Sequence, residues 1–461
     1  MSRVVENGIA PVNFHQLTAW SLLRSLAIAS AAVATAGPLR DFLAVRRWRF
    51  LAWTALLAPY LTPALFVSYA YSQFALSLIR EPGWTALFYT ALLWLKLTPV
   101  AALALYFVPP PLTPEALHCH RLLPACSSWS SLIFRARGAG RAPAIAFALV
   151  FLFAFGDFEL ASLWSVKTWT VAVFDAQAGG LSHLESLRLA RVPISIEMLV
   201  LTVTITLVAK DKLLPVSPMH NQGGILRWKT GFAVVYLAIA TCAVTIAPVA
   251  IVFRNALSGI ASLFQNFALG GEIAASLLFA SGAACCVFFA ARRISKPLPL
   301  CLLAIPGLLG ALPLSLLIVS LFQFPALRPL YDTPLPLLLA LTMILLPFAV
   351  LLFALLRAIQ PGAALHLAEK LRHRGLIWQL KTRREFWFAF LLFSWAYFDL
   401  TASAIAAPVG MTPVFVRLHN LMHYGQTAVL SAMLCAATLA PVLLLLLTRA
   451  ALALYACLRR E

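Results

Sequence analysis

Long apolar runs alternate with short polar intervals along the whole chain, falling at about 19–39, 51–72, 85–108, 143–165, 192–209, 230–253, 271–291, 297–322, 333–357, 386–406 and 426–448. A helix needs about 20 apolar residues to cross hydrocarbon, where every backbone group must bond within its own segment. The pattern therefore predicts an all-α polytopic membrane protein with about eleven transmembrane helices. Pro59, Pro306 and Pro347 fall inside runs and are expected to kink them.

Composition removes the soluble alternative. Of 461 residues, 62% are hydrophobic and 11% charged, where a soluble domain is nearer half apolar and a quarter charged. The net charge of +19 would suggest nucleic acid in a soluble protein, but membrane chains gather cations in cytoplasmic loops. Most of the Lys and Arg lie in alternate intervals, at 40–50, 109–142, 210–229, 292–296, 358–385 and 449–461. The positive-inside rule makes these intervals cytoplasmic, with the N-terminus outside and the C-terminus inside, and no nucleic-acid partner is expected. Cys242, Cys285, Cys286, Cys301 and Cys435 lie inside apolar runs and read as small hydrophobes rather than a disulfide framework. Ala34-Thr35-Ala36 could follow a signal peptide, but residues 1–18 contain Glu6 and form no compact basic region, so cleavage is not expected.

The chain also repeats itself. Ser25-Leu-Ala-Ile-Ala-Ser-Ala-Ala returns as Ser276-Leu-Leu-Phe-Ala-Ser-Gly-Ala, and Arg46-Arg47 as Arg292-Arg293. Leu56-Leu-Ala-Pro59 resembles Leu302-Leu-Ala-Ile-Pro306, Ala116-Leu-His118 resembles Ala364-Leu-His366, and Phe158-Glu-Leu-Ala-Ser162 resembles Phe398-Asp-Leu-Thr-Ala-Ser403. Five collinear pairs at offsets of roughly 240 to 251 residues read as a duplication. The halves would be 1–215 and 216–461, the second opening with an extra helix at about 230–253. An even number of crossings separates equivalent runs, so the halves are expected to point the same way, with their long basic loops side by side.

Catalytic motifs are missing. Gly138-Ala-Gly140 lacks the Lys and Ser/Thr of a phosphate loop, and H-E-x-x-H, G-x-S-x-G and C-x-x-C patterns do not occur. The chain is therefore not expected to be an enzyme or to carry a cofactor. His118-Cys119-His120 with Cys126 is the one cluster with metal-ligand character, but it lacks a second ligand pair, so no metal is expected. Charges at membrane depth are expensive and mark pathways by default; Lys96, Asp157, Glu159, Glu197 and Asp399 qualify. Candidate pathway residues are Lys96, Asp157, Glu159 and Asp399, with Glu159 and Asp399 as repeat equivalents; Asp157, Glu159 and Asp399 could instead cap neighbouring helices.

Three stretches resemble permease subunits of ATP-binding-cassette importers, of the fused-half type serving iron(III), thiamine and related solutes. Ala407 to Gly425, reading A-P-V-G-M-T-P-V-F-V-R-L-H-N-L-M-H-Y-G, is similar to the family's L-P-P-G-x-T-T-L-x-V-R-I-x-N-L-M-H-Y-G before the last span. Gly156-Asp157-Phe158 followed by Lys167 to Phe174 resembles G-D-F and T-F-T-x-x-I-Y, and Tyr331-Asp-Thr333 resembles Y-D-T. The family's coupling helix, E-A-A-x-x-x-G, corresponds to His118–Pro124 and His366–Arg372, where its Glu has become His118 and its Gly Pro124.

The resemblance implies a non-enzymatic transport subunit that moves a small solute delivered by an extracytoplasmic binding protein. Separate ATPase subunits, two per chain, would dock on the two cytoplasmic loops. His118, Arg121, Leu122, Trp129, Leu371, Arg372 and Trp378 are the coupling residues it implies, although Trp and Arg also anchor at headgroups. An ion-coupled secondary transporter and a degenerate permease acting as a scaffold are the rival readings.

Overall fold

The computed structural model describes residues 14–43, 49–78, 82–107, 119, 142–210, 227–263, 268–293, 303–359, 362–371, 374–422 and 427–458. Among these residues every regular element is helical. Among the described residues six helices are long and apolar enough to cross a membrane: Phe14–Leu43, Gly83–Tyr106, Ala142–Leu163, Trp228–Ala261, Ala268–Arg293 and Ala428–Thr448. A bent pair, Leu51–Leu61 with Ala64–Tyr71, makes a seventh, and Ala311–Phe322 and Leu335–Val350 are shorter apolar helices.

The chain forms two compact units, one of Met1–Tyr60 with Phe74–Ala240, the other of Leu61–Gln73 with Thr241–Glu461. In the first, helices α1 (Phe14–Leu43), α4 (Pro82–Phe107) and α5 (Ala142–Phe155) pack pairwise against one another. Ile28, Ala29, Ala32, Ala36 and Leu39 form the buried seam of α1, and small side chains at this spacing let helices approach closely without a hydrophobic driving force. Between α1 and α4 come α2 (Arg49–Leu61) and α3 (Ala64–Leu78). After α5 the chain runs through α6 (Glu159–Leu163), α7 (Trp169–Ala178), α8 (His183–Leu189) and α9 (Arg191–Lys210). Next is α10 (Arg227–Thr241), which continues through a π turn at Cys242–Ile246 into α11 (Ala247–Leu263).

The second unit uses the same three-helix arrangement. Helices α12 (Ala268–Arg293), α14 (Leu335–Ile359) and α17 (Arg383–Phe398) pack pairwise, with Ser276, Phe279, Ala280, Ala283, Ala284, Val287 and Ala291 as the buried seam of α12. Around them lie α13 (Ala311–Phe322), α15 (Gly362–Lys370), α16 (Arg374–Ile377), α18 (Thr401–Ala406), α19 (Val414–Met422) and α20 (Thr427–Leu458), the last packed along α11.

Prolines act differently from the kinks expected of them. Pro59 lies inside α2, and the 76° bend comes later, at Thr62–Pro63, where the Pro63 carbonyl accepts from Phe66 and Val67 and starts α3. Pro at a helix start loses nothing, since its missing N–H would be unpaired there anyway. The segment is held in the second unit by Tyr69 Oη to Ser431 Oγ at 2.6 Å, Thr62 Oγ1 to Thr245 Oγ1 at 2.9 Å and Tyr71 Oη donating to the Ala243 carbonyl at 2.5 Å. Pro306 opens a short 3-10 turn ending at Leu309, so the run expected at 297–322 is broken rather than bent.

Pro347 leaves α14 continuous. Having no N–H, it frees the carbonyl four residues earlier, that of Met343. Gly307 lies against that oxygen: a methyl group on its α-carbon would stand 2.0 Å from the Met343 oxygen and 2.8 Å from Pro347 Cδ. Gly307→Ala is expected to lower stability by about 1–3 kcal/mol through overpacking, read as an earlier thermal transition in detergent; an unchanged transition would contradict this packing.

Candidate functional site

The fourth run does not continue as one helix. Within the candidate span Ala142–Leu163, α5 ends at Phe155, Gly156–Phe158 interrupt the helix, and α6 follows. A break inside apolar surroundings strands backbone N–H groups, each costly unless paired. Asp157 answers this locally, its Oδ2 accepting from Ala161 N at 3.2 Å. In the second unit the break falls between α17 and α18, and Asp399 Oδ2 accepts from Ala402 N at 2.9 Å and Ser403 N at 3.3 Å.

The surroundings of the two aspartates match in kind. Phe151 stacks on Phe155 at 5.4 Å and Phe155 meets Trp169 at 5.6 Å; Phe393 stacks on Tyr397 at 6.1 Å and Tyr397 meets Phe415 at 5.5 Å. The spacing Phe151, Phe155, Asp157 is that of Phe393, Tyr397, Asp399. Trp169 N, at the start of α7, donates to Ser21 Oγ at 3.3 Å, and Val414 N, at the start of α19, donates to Ser276 Oγ at 2.8 Å. Four residues before each donor the backbone turns left-handed, at Ser165 (φ 52°) and Gly410 (φ 87°).

Asp157 and Asp399 thus make the same kind of hydrogen bond, as do Ser21 and Ser276. Ser25 donates to the Ser21 carbonyl at 2.8 Å.

What differs between the units is charge. Tyr89, on α4, donates to Asp157 Oδ2 at 3.0 Å, and the Arg24 guanidinium carbon, on α1, lies 5.3 Å from the Tyr89 ring centre. Lys96 stands on α4 two turns beyond Tyr89, within electrostatic reach of Glu159 first and Asp157 second. Three of the four expected pathway residues thus lie in one charged region of the first unit, Lys96 within electrostatic range of Glu159 and Asp157, with Tyr89 bonded to Asp157 and Arg24 beside Tyr89. Two cations and two carboxylates balance formally, which is the condition for holding charge at low dielectric. Arg24 Nη1 is buried without a hydrogen-bond partner among the described residues. By contrast α12 has no Asp, Glu, Lys, Arg or His between Glu272 and Arg292, and α14 none before Arg357.

Arg24 was within reach of sequence reasoning, as a cation inside the first apolar run; Tyr89 and the two serines carried no such signal. Asp399 lies in the other unit, where Arg417 of α19 pairs with Glu272 of α12. Of the expected coupling residues, Leu371 and Trp378 are exposed, beside an ion pair of Lys381 with Glu369 at 3.3 Å. His118, Arg121, Leu122, Trp129 and Arg372 lie outside the described residues, as do His120 and Cys126.

Comparison with protein-family models, with curated proteins and with solved structures finds no match.

Ser21→Ala and Ser276→Ala are each expected to cost about 1–3 kcal/mol, the penalty for a buried N–H left without an acceptor, read by denaturant titration in detergent micelles. A loss in one unit alone would contradict their equivalence. At the left-handed positions the expected signs are opposite: Ser165→Gly raises stability and Gly410→Ser lowers it, each by about 1 kcal/mol. Equal signs in the same titration would count against the matched turns.

Proposed function

We propose that the chain is the permease subunit of an importer driven by separate ATPase subunits, embedded in an inner membrane by about eleven spans arranged as two like-oriented halves. The observation that carries this reading is the pair of matched helix breaks, each with an aspartate cap, an aromatic stack and a serine acceptor on the first helix of its triad. It adds to the resemblance of Ala407–Gly425 and Gly156–Phe174 to such permeases, because the matched contacts fall in those same stretches.

In this reading the shared parts are scaffold and the unshared charges are the pathway. The nest of Arg24, Tyr89, Lys96, Asp157 and Glu159 offers a small polar solute, of the iron(III) or thiamine kind, paired charges at membrane depth. A binding protein delivers the solute from outside. The segment around Leu371 and Trp378, with its partner loop at 109–142, receives the ATPase subunits. A helix set in a groove relies on a few apolar anchors, and Leu367, Leu371 and Trp378 are exposed and available for that role.

Affinity purification from native membranes in mild detergent tests this. An ATPase subunit is expected to co-purify, and Leu371→Asp to reduce its recovery severalfold while the chain remains folded. Lys96→Met with Glu159→Gln is expected to abolish uptake and leave co-purification intact. Recovery of the chain alone, together with uptake driven by an ion gradient in vesicles free of ATPase, would overturn the reading.

A further inference from the structure

We propose that Glu197 is a proton-binding site sealed between α9 and α5. The inward stripe of α9 is Pro193, Glu197, Leu201 and Thr204, one residue per helical turn, and Glu197 is only 1% exposed. Its neighbours around the helix, Met198, Leu199 and Val203, point outward. The stripe packs on α5, in which every residue from Ala142 to Phe155 is apolar. Neither carboxyl oxygen of Glu197 has a hydrogen-bond partner among the described residues. The nearest hydroxyl along the stripe, Thr204 Oγ1, is committed to the Val200 carbonyl at 2.7 Å.

Charged groups on the elements packed against this seam are few. α5 has none. On α8, His183 bonds Gln177 at 2.9 Å and burial pushes its imidazole down. Glu185 is held below the usual carboxylate range by the Ser182 hydroxyl and N–H that it caps. Arg188 lies in the last turn of α8, and Arg191 and Lys210 are the ends of α9, the nearer about 9 Å along the axis from Glu197 and on another face.

A carboxylate in such a seam would have neither donor nor cation, at a cost of several kcal/mol. Taking up a proton removes the charge. A metal ion does not serve instead, since hard cations need about six oxygens and the seam offers the two of one carboxyl group. The un-ionised acid therefore holds α9 on α5, and losing the proton drives the helices apart, so the seam tightens at low pH and loosens as pH rises. This assignment rests on the packing of α9 alone and holds whether or not the chain is a permease.

Dicyclohexylcarbodiimide, an apolar reagent, tests it on the full chain in membrane vesicles. An un-ionised carboxylic acid adds across one C=N bond, its oxygen bonding the central carbon and its proton passing to nitrogen, and the adduct rearranges to a stable N-acylurea. Peptide mass spectrometry is expected to find the adduct on Glu197 at neutral pH, declining at alkaline pH and absent in Glu197→Gln. Infrared difference spectra of wild type minus Glu197→Gln should contain the C=O stretch of an un-ionised acid. Labelling by a water-soluble carbodiimide only, or no label at neutral pH with carboxylate bands in the spectrum, would overturn the proposal. The wild-type labelling decides the matter even if the variant fails to fold.

Discussion

A helix interrupted inside an apolar layer exposes backbone N–H groups where no water can reach them, and each must find an acceptor within the protein. In this chain the acceptors are two aspartate carboxylates and two serine hydroxyls. Asp157 and Asp399 take the N–H groups of the short helices after each break, and Ser21 and Ser276 take the first N–H of the helices after the following turn. Each cap pairs backbone groups that a break would otherwise leave without an acceptor. Both cores are closed by the same means, small residues on the first helix that let its neighbours pack tightly.

Because the device occurs twice, each unit serves as a control for the other. An aspartate at membrane depth reads as a pathway residue when considered alone. Seen in both units in the same hydrogen-bonded role, it is first a structural cap. The charges without a counterpart are Arg24, Lys96 and Glu159, gathered about Asp157 and Tyr89, and these are the groups whose placement the scaffold does not require. Their burial is tolerated because opposite signs stand together. Glu197 has no such company, and its environment favours a neutral acid.

Much of the architecture was legible in the apolar runs. Among the described residues these runs are helical apart from short interruptions, and two of the repeated segments, at Phe158–Ser162 and Phe398–Ser403, adjoin the similar contacts. Sequence reasoning went astray in the prolines. Pro59 is accommodated inside α2, and the bend falls at Thr62–Pro63, just before α3, where the missing N–H of Pro63 costs no helix hydrogen bond. Pro347 leaves its helix whole, as Gly307 occupies the space over the carbonyl it frees. The serine acceptors were invisible because their partners lie more than a hundred residues away along the chain.

The central claim is that two like-oriented halves present their basic loops on one side of the membrane. It is tested most directly by single cysteines, Ser128→Cys in the first loop and Gln379→Cys in the second, in a variant whose native cysteines are replaced. A membrane-impermeant maleimide applied to sealed vesicles of known orientation should label both positions from the cytoplasmic face and neither from the other. Labelling of the two positions from opposite faces would contradict the account.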